Sequence, residues 1–140
     1  MEELLRTNPI IQPSYCKFWR FREVFLAADI EKILVDRPEG LWNRDACRRH
    51  FSDLGQRLTK SRRIHGKGRV LVDLSGTLVQ PQEAFSYVQS DLAGILAPAD
   101  RIAFAGGGAL LRMQKKRLTL PAETGVFEKV EDARSWLEQG

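Results

Sequence analysis

Few residues in this chain are placed to do chemistry. Asp73 and Ser75 follow the apolar run Val70-Leu71-Val72, and a carboxylate and a hydroxyl leaving a strand together can hold a ligand. Open α/β sheets keep their ligands at the carboxyl ends of strands. The plainer role for the same pair is to cap a turn, with Asp73 accepting from a nearby backbone amide. Gly106-Gly107-Gly108 precedes a helical pattern, so its amides are candidates to face an anion, with Gly107 and Gly108 nearest the helix start. The spacing is not that of a dinucleotide loop, and no lysine of a phosphate loop follows. Arg112, Lys115, Lys116 and Arg117 make a basic helix end, and Arg57, Lys60, Arg62, Arg63, Lys67 and Arg69 lie between Asp53 and Asp73 with no acid among them. Such clusters attract phosphate, but they equally serve helix dipoles, and no nucleic-acid motif accompanies them.

His50 and His65 have no cysteine or carboxylate at a metal-ligand spacing, and no triad or nucleophile elbow is present. The residues therefore point to no catalytic group, no metal and no cofactor. Cys16 and Cys47 are too few for a disulfide framework and read as reduced, buried thiols. Acids at Glu2 and Glu3 stand where a signal peptide carries basic residues, and no apolar run approaches membrane-spanning length, so the expectation is a cytoplasmic protein without a transmembrane segment. A length of 140 residues with 43% hydrophobic and 29% charged residues fits one globular domain, and a net charge of +4 specifies no partner.

The elements that must position these residues follow from periodicity. Residues 69–74 are apolar with β-branched side chains and end at Ser75-Gly76, which predicts a central strand buried on both faces. Before it, Asn43 is a good N-cap, and Cys47, Phe51, Leu54 and Leu58 form one helical face that fades near Lys60. Upstream, residues 1–14 read as a flexible N-terminal arm, the aromatic-rich residues 15–26 as a strand, and residues 33–36 as a second strand. Two strands this close in sequence predict a hairpin. Downstream, Pro81 opens a helix carrying Phe85, Val88, Leu92 and Ile95. A strand over residues 102–105 and a helix over 109–118 follow. The chain then runs through a loop over 121–125, a strand at Val126-Phe127 and a last helix over 131–139. The expected fold is α/β, with a mixed β-sheet built from an N-terminal hairpin and then parallel β-α units, flanked by helices, in one domain over residues 15–140.

This order, together with Val72-Asp73-Leu74-Ser75-Gly76 and the closing Val126-Phe127, Ala133 and Trp136-Leu137, resembles the STAS domain family. The resemblance is closer to its SpoIIAA-like, STAS/SEC14-type bacterial branch, and it extends over roughly residues 15–139. It implies a non-enzymatic regulatory or binding module whose partner is another protein or a small apolar or anionic ligand. A homodimer, but no specific nucleic acid, is among the expected partners. The alternatives are a carrier of lipid or another apolar ligand, with Met113 and Leu110 on an adaptable helix face and Arg112 on its rim, and a small enzyme acting beside Asp73 and Ser75. Signalling members of the family are switched by a serine at the start of the helix after the central strand. Here those positions hold Gln82 and Glu83. Incubation with STAS-directed kinases is accordingly expected to leave residues 76–86 free of phosphate by mass spectrometry, and stoichiometric modification there contradicts this reading.

Overall fold

The computed structural model describes residues 32–40 and 42–140. The arm over residues 1–14 and the aromatic strand over 15–26 lie outside the described residues, and so does the hairpin that the strand would form. Among the described residues the chain is α/β. The order is β1 (Leu34–Asp36), α1 (Arg44–His65), β2 (Arg69–Asp73), α2 (Gln82–Ile95), β3 (Arg101–Ala105), α3 (Ala109–Lys116), β4 (Glu123–Phe127) and α4 (Val130–Gln139). Where a mixed sheet is expected, the described sheet is wholly parallel, in the order β1-β2-β3-β4. The second strand of the expected hairpin is β1, and it pairs with β2 in parallel through Leu34↔Val70 to Asp36↔Val72. The long α1 supplies the crossover that parallel pairing requires.

The strand order never reverses, so crossovers of one hand carry α1, α2 and α3 to the same face of the sheet. Leu34, Val70, Val72, Ile102 and Phe104 from the strands pack there with Phe51, Leu54 and Leu58 of α1, Phe85, Val88 and Leu92 of α2, and Leu111 of α3. The alternate strand positions Leu71, Ala103 and Ala105 turn to the other face, where Ala133 and Leu137 of α4 close over them. Small side chains at positions 103 and 105 let that single helix approach closely. No described helix is long and apolar enough to cross a membrane.

Several boundaries depart from the sequence reading, among them the end of α3 at Lys116 and not Leu118, and two of them have a tertiary reason. Pro81 is the N-cap of α2 and Gln82 its first residue. The α1 helix begins as expected, with Asn43 accepting from the Ala46 amide at 2.8 Å, but it runs to His65 and not to Lys60. It is stopped by Gly66, whose φ of 90° is open to glycine and whose N–H closes back on the Arg62 carbonyl at 2.8 Å. Its extra turn is held from the side, because Arg62 donates to the Ile95 carbonyl at 2.6 Å and to the carboxylate of Asp100. The β4 strand starts at Glu123, inside the expected loop, because β3 offers a full parallel ladder from Arg101↔Glu123 to Ala105↔Phe127. Gly125 belongs in that strand by close approach. A Cβ there would lie 2.7 Å from the Phe127 ring and 3.4 Å from Trp136.

Asp100 is the principal polar joint of the fold and is 1% exposed. Its carboxylate accepts from the Gly68 amide at 2.8 Å, the Ala97 amide at 2.8 Å and the Arg62 guanidinium. Burial alone would push this carboxyl up, but the hydrogen bonds from Arg62 and the two amides, with the Arg62 charge, outweigh it and hold it below its usual value of 3.8. A depressed carboxyl adds stability that is present above its unfolded-state value and is lost as pH falls toward the folded one. Asp100→Asn should therefore cost about 2–3 kcal/mol in urea unfolding at neutral pH, because it strips one side of a largely buried pair. The gap from wild type should narrow below pH 3.8. A cost under about 0.5 kcal/mol, the range of ordinary surface substitutions, contradicts the assignment.

Candidate functional site

The carboxyl ends of the strands carry two separate clusters, one on each face of the sheet. Asp73, at the end of β2, belongs to the face of Leu71 and α4 by strand alternation. Its Oδ1 accepts from the Ser75 amide at 3.1 Å, and Arg37 Nε lies 3.5 Å from its Oδ2. Ser75 is exposed. Gly106 and Gly107 both have positive φ, at 82° and 67°, and Gly108 is the N-cap of α3. A Cβ on Gly106 would lie 3.6 Å from Asp73 Oδ1, so the glycine turn runs directly beside that carboxylate. Arg112 folds back over the turn, donating to the Gly107 carbonyl at 2.6 Å and the Gly106 carbonyl at 3.3 Å, with Glu128 at 3.5 Å. The structure thus brings Asp73, Ser75, Gly107, Gly108 and Arg112 together, and their polar groups are largely engaged with one another. Met113 stands apart, 61% exposed beside Leu110 at 64%.

The second cluster surrounds a cavity on the face of α1, α2 and α3. Its floor is the cross-strand row Asp36, Val72 and Phe104, in direct register on β1, β2 and β3. Phe51 and Leu54 of α1, Val88 and Leu92 of α2 and Lys115 of α3 form the walls, and Pro38, Trp42, Thr77 and Gln80 come from the loops above. The space open to water-sized molecules is about 20 Å³, room for about one water.

Four polar groups are held at this cavity. Asp36, 6% exposed, receives the His50 Nε2–H at 2.8 Å, and the His50 ring leans on Trp42 at 4.7 Å and Phe51 at 5.2 Å between centroids. Gln80 ties three segments together. Its side-chain amide donates to the Gly40 carbonyl at 2.9 Å and its Oε1 accepts from the Trp42 amide at 3.1 Å, while its backbone exchanges two hydrogen bonds with Gln114 of α3 at 3.1 and 2.8 Å. Thr77 donates its hydroxyl to the Pro38 carbonyl at 2.6 Å. These contacts fix the roof of the cavity without closing it with apolar side chains.

Lys115 differs from the other three. It is 5% exposed and lines the cavity, which the buried carboxylate of Asp36 also lines. Burial pushes its ammonium below the usual lysine value of 10.5, with Cys47 pulling weakly the other way. Cys47 offers no counter-charge. Burial, then a hydrogen bond to Asp91 and the charge of that carboxylate, push its thiol up to about 12, so it stays protonated. A largely buried ammonium in an apolar wall is costly, which makes this group a candidate for function.

Sequence reasoning treated Lys115 as part of a basic rim with Arg112 and Lys116. The structure dissolves that rim: Arg112 is turned to the glycine carbonyls, Lys115 is turned inward, and of the three only Lys116 is exposed. The signal for Lys115 was present, since it lies four residues after Leu111 on the buried face of α3 and three before the buried Leu118 just past the helix end. Nothing in the sequence marks Gln80 or Trp42. In the basic segment before β2, Arg62 serves Asp100, and Arg69 donates to the Leu137 carbonyl at 3.1 Å and the Gly140 carbonyl at 2.6 Å, neutralising the end of α4. Among the described residues no group of three or more His, Cys, Asp and Glu is placed to hold a metal ion. No family model, curated protein or solved structure matches the chain.

A base whose folded-state value is lowered costs stability while it is protonated and stops doing so as pH rises. Lys115→Met, which keeps the stem and removes the charge, should therefore be more stable than wild type at neutral pH, by about 1–2 kcal/mol on the scale of buried-charge replacements. The difference should shrink as pH approaches 10.5. Loss of stability on this substitution at neutral pH would show that the ammonium has a structural partner.

Proposed function

We propose that the chain is a non-enzymatic binding module of the SpoIIAA-like (STAS) kind that holds a small ligand with a short apolar body and an acidic group. The ligand occupies the cavity above the carboxyl ends of β1, β2 and β3. The observation that carries this reading is Lys115, a largely buried ammonium set in the wall of a cavity lined mainly by apolar side chains. A carboxylate beside it would supply an opposite charge, and Val72, Phe104, Val88 and Leu92 would take the carbon chain. The size of the cavity decides the length of that chain. Pockets that swallow drug-sized ligands run to about 300 Å³ or more, so a space with room for about one water is too small for the acyl chain of a lipid carrier, and even a short-chain acid enters only if the walls move apart. A cytoplasmic location and the lack of a serine phospho-switch belong to the same reading.

A protein-interaction role is the second reading, and one surface favours it. Leu78 and Val79 are exposed beside Leu110 and Met113, because the paired hydrogen bonds between Gln80 and Gln114 hold the loop after β2 against α3.

Butyrate is a suitable probe for the small-ligand reading, with butanol as the uncharged control, each titrated against the ¹⁵N-labelled protein by NMR. Saturable shifts centred on Trp42, Gln80 and Lys115, with butyrate bound at least about tenfold more tightly than butanol, are expected for one buried charge. Lys115→Met should erase that preference. Equal affinity for acid and alcohol, or no saturation with either, contradicts the reading.

A further inference from the structure

Among the described residues the sheet has two edges, β1 and β4, and they are not equally protected. An edge strand offers a row of unpaired amides and carbonyls to any other strand, and folded proteins guard it with short strands, proline or lysine. β1 is guarded: it has three residues, and Arg37 and Pro38 follow at once. β4 is not. Its five residues, Glu123-Thr124-Gly125-Val126-Phe127, pair with β3 in unbroken register, and none of them is proline or lysine. The direction of each backbone group follows from that ladder. The Glu123 amide donates to the Asp100 carbonyl at 3.2 Å, and the Phe127 carbonyl accepts from the Gly106 amide at 3.3 Å. Positions 123, 125 and 127 therefore direct their backbone groups to β3, and by alternation Thr124 and Val126 turn theirs outward. Thr124 is exposed, and Val126 is half-buried although it packs on the core.

We propose that β4 is a dimerisation edge, at which two copies of this chain pair their β4 strands antiparallel and join their sheets into one. A two-fold axis through Val126 sets that residue opposite its own counterpart, where the two exchange N–H to C=O hydrogen bonds. The same register puts Thr124 opposite Glu128 and Glu123 opposite Lys129, whose backbone is extended at φ −114° and ψ 139°. An acid thus meets a base twice, once on each side of the axis, and opposite charges directly across a strand pair are stabilising. The neighbouring two-fold register, centred on Gly125, turns the same backbone groups toward each other but sets Glu123 against Phe127 and Lys129 against Pro121. Charge selects the first. The complementarity lies within one short segment of one chain, which is what an interface between identical copies requires.

Sedimentation equilibrium of the full chain at low ionic strength, over a range of loadings, is expected to show monomer and dimer in reversible exchange. Amide hydrogen exchange of the wild type locates the surface, because the outward Thr124 and Val126 amides should slow as loading rises. Thr124→Pro removes one outward N–H and leaves the β3 ladder intact, since proline is tolerated where an edge amide faces solvent. It should leave monomer alone. Lys129→Glu sets like charges across the axis and should weaken the dimer roughly tenfold. Adding Glu123→Lys to that variant restores opposite charges and should recover the association. A chain that stays monomeric at every loading overturns the proposal, and so does a dimer in which the Thr124 and Val126 amides keep their monomer rates. A double variant no tighter than Lys129→Glu overturns the register centred on Val126. Because the wild-type exchange rates alone locate the interface, the answer does not depend on whether a variant folds.

Discussion

One buried carboxylate sets the frame of this domain. Asp100 joins the start of β2, the end of α2 and the last turn of α1 through the Gly68 amide, the Ala97 amide and Arg62. It sits at the amino ends of the strands, so it fixes one end of α1 against the sheet. A helix of 22 residues spans about 33 Å, well beyond the length of the five-residue β2 and β3 beside it. Anchoring its far end at Asp100 therefore determines where its first turns, with Cys47, His50 and Phe51, arrive at the carboxyl ends of the strands. The stability of the joint and the position of the cavity are two results of one constraint.

The strand order has a second consequence. Ligands of open α/β sheets usually lie where the strand order reverses and neighbouring crossovers part to opposite faces. The described sheet has no reversal, and α1, α2 and α3 all cover one face. Free space is left instead between the sheet and those helices, above the row Asp36, Val72 and Phe104. Asp73, one residue further along β2 than Val72, is turned to the other face by the alternation of the strand. The carboxylate that draws the eye in the sequence is thus satisfied in a turn, and the largely buried cation at the cavity is a lysine on a different element.

The parts that were legible are those governed by local pattern. The apolar run at 70–72 did become a strand buried on both faces, and the stripe Cys47, Phe51, Leu54 and Leu58 is buried along α1. The parts that were not legible depend on partners distant in sequence. Glu123 and Gly125 are poor strand formers on either side of Thr124, and the segment is a strand because β3 supplies the ladder and two aromatic rings cover the glycine. The last turn of α1 persists because Arg62 finds Ile95 and Asp100, 33 and 38 residues away. Lys115 was half legible. Its place between Leu111 and Leu118 puts a charge on an apolar face, and the usual assumption that lysine faces solvent hid it.

The central claim is that Lys115 holds a largely buried charge in a cavity that a ligand can enter. The most direct measurement is the titration of its own side chain, followed through the ¹³Cε and ¹⁵Nζ resonances of the labelled protein, first alone and then saturated with butyrate. The account predicts a midpoint below the ordinary lysine value of 10.5 in the free protein and an upward move once a carboxylate sits beside it. A midpoint at the ordinary value, unmoved by butyrate, would contradict it.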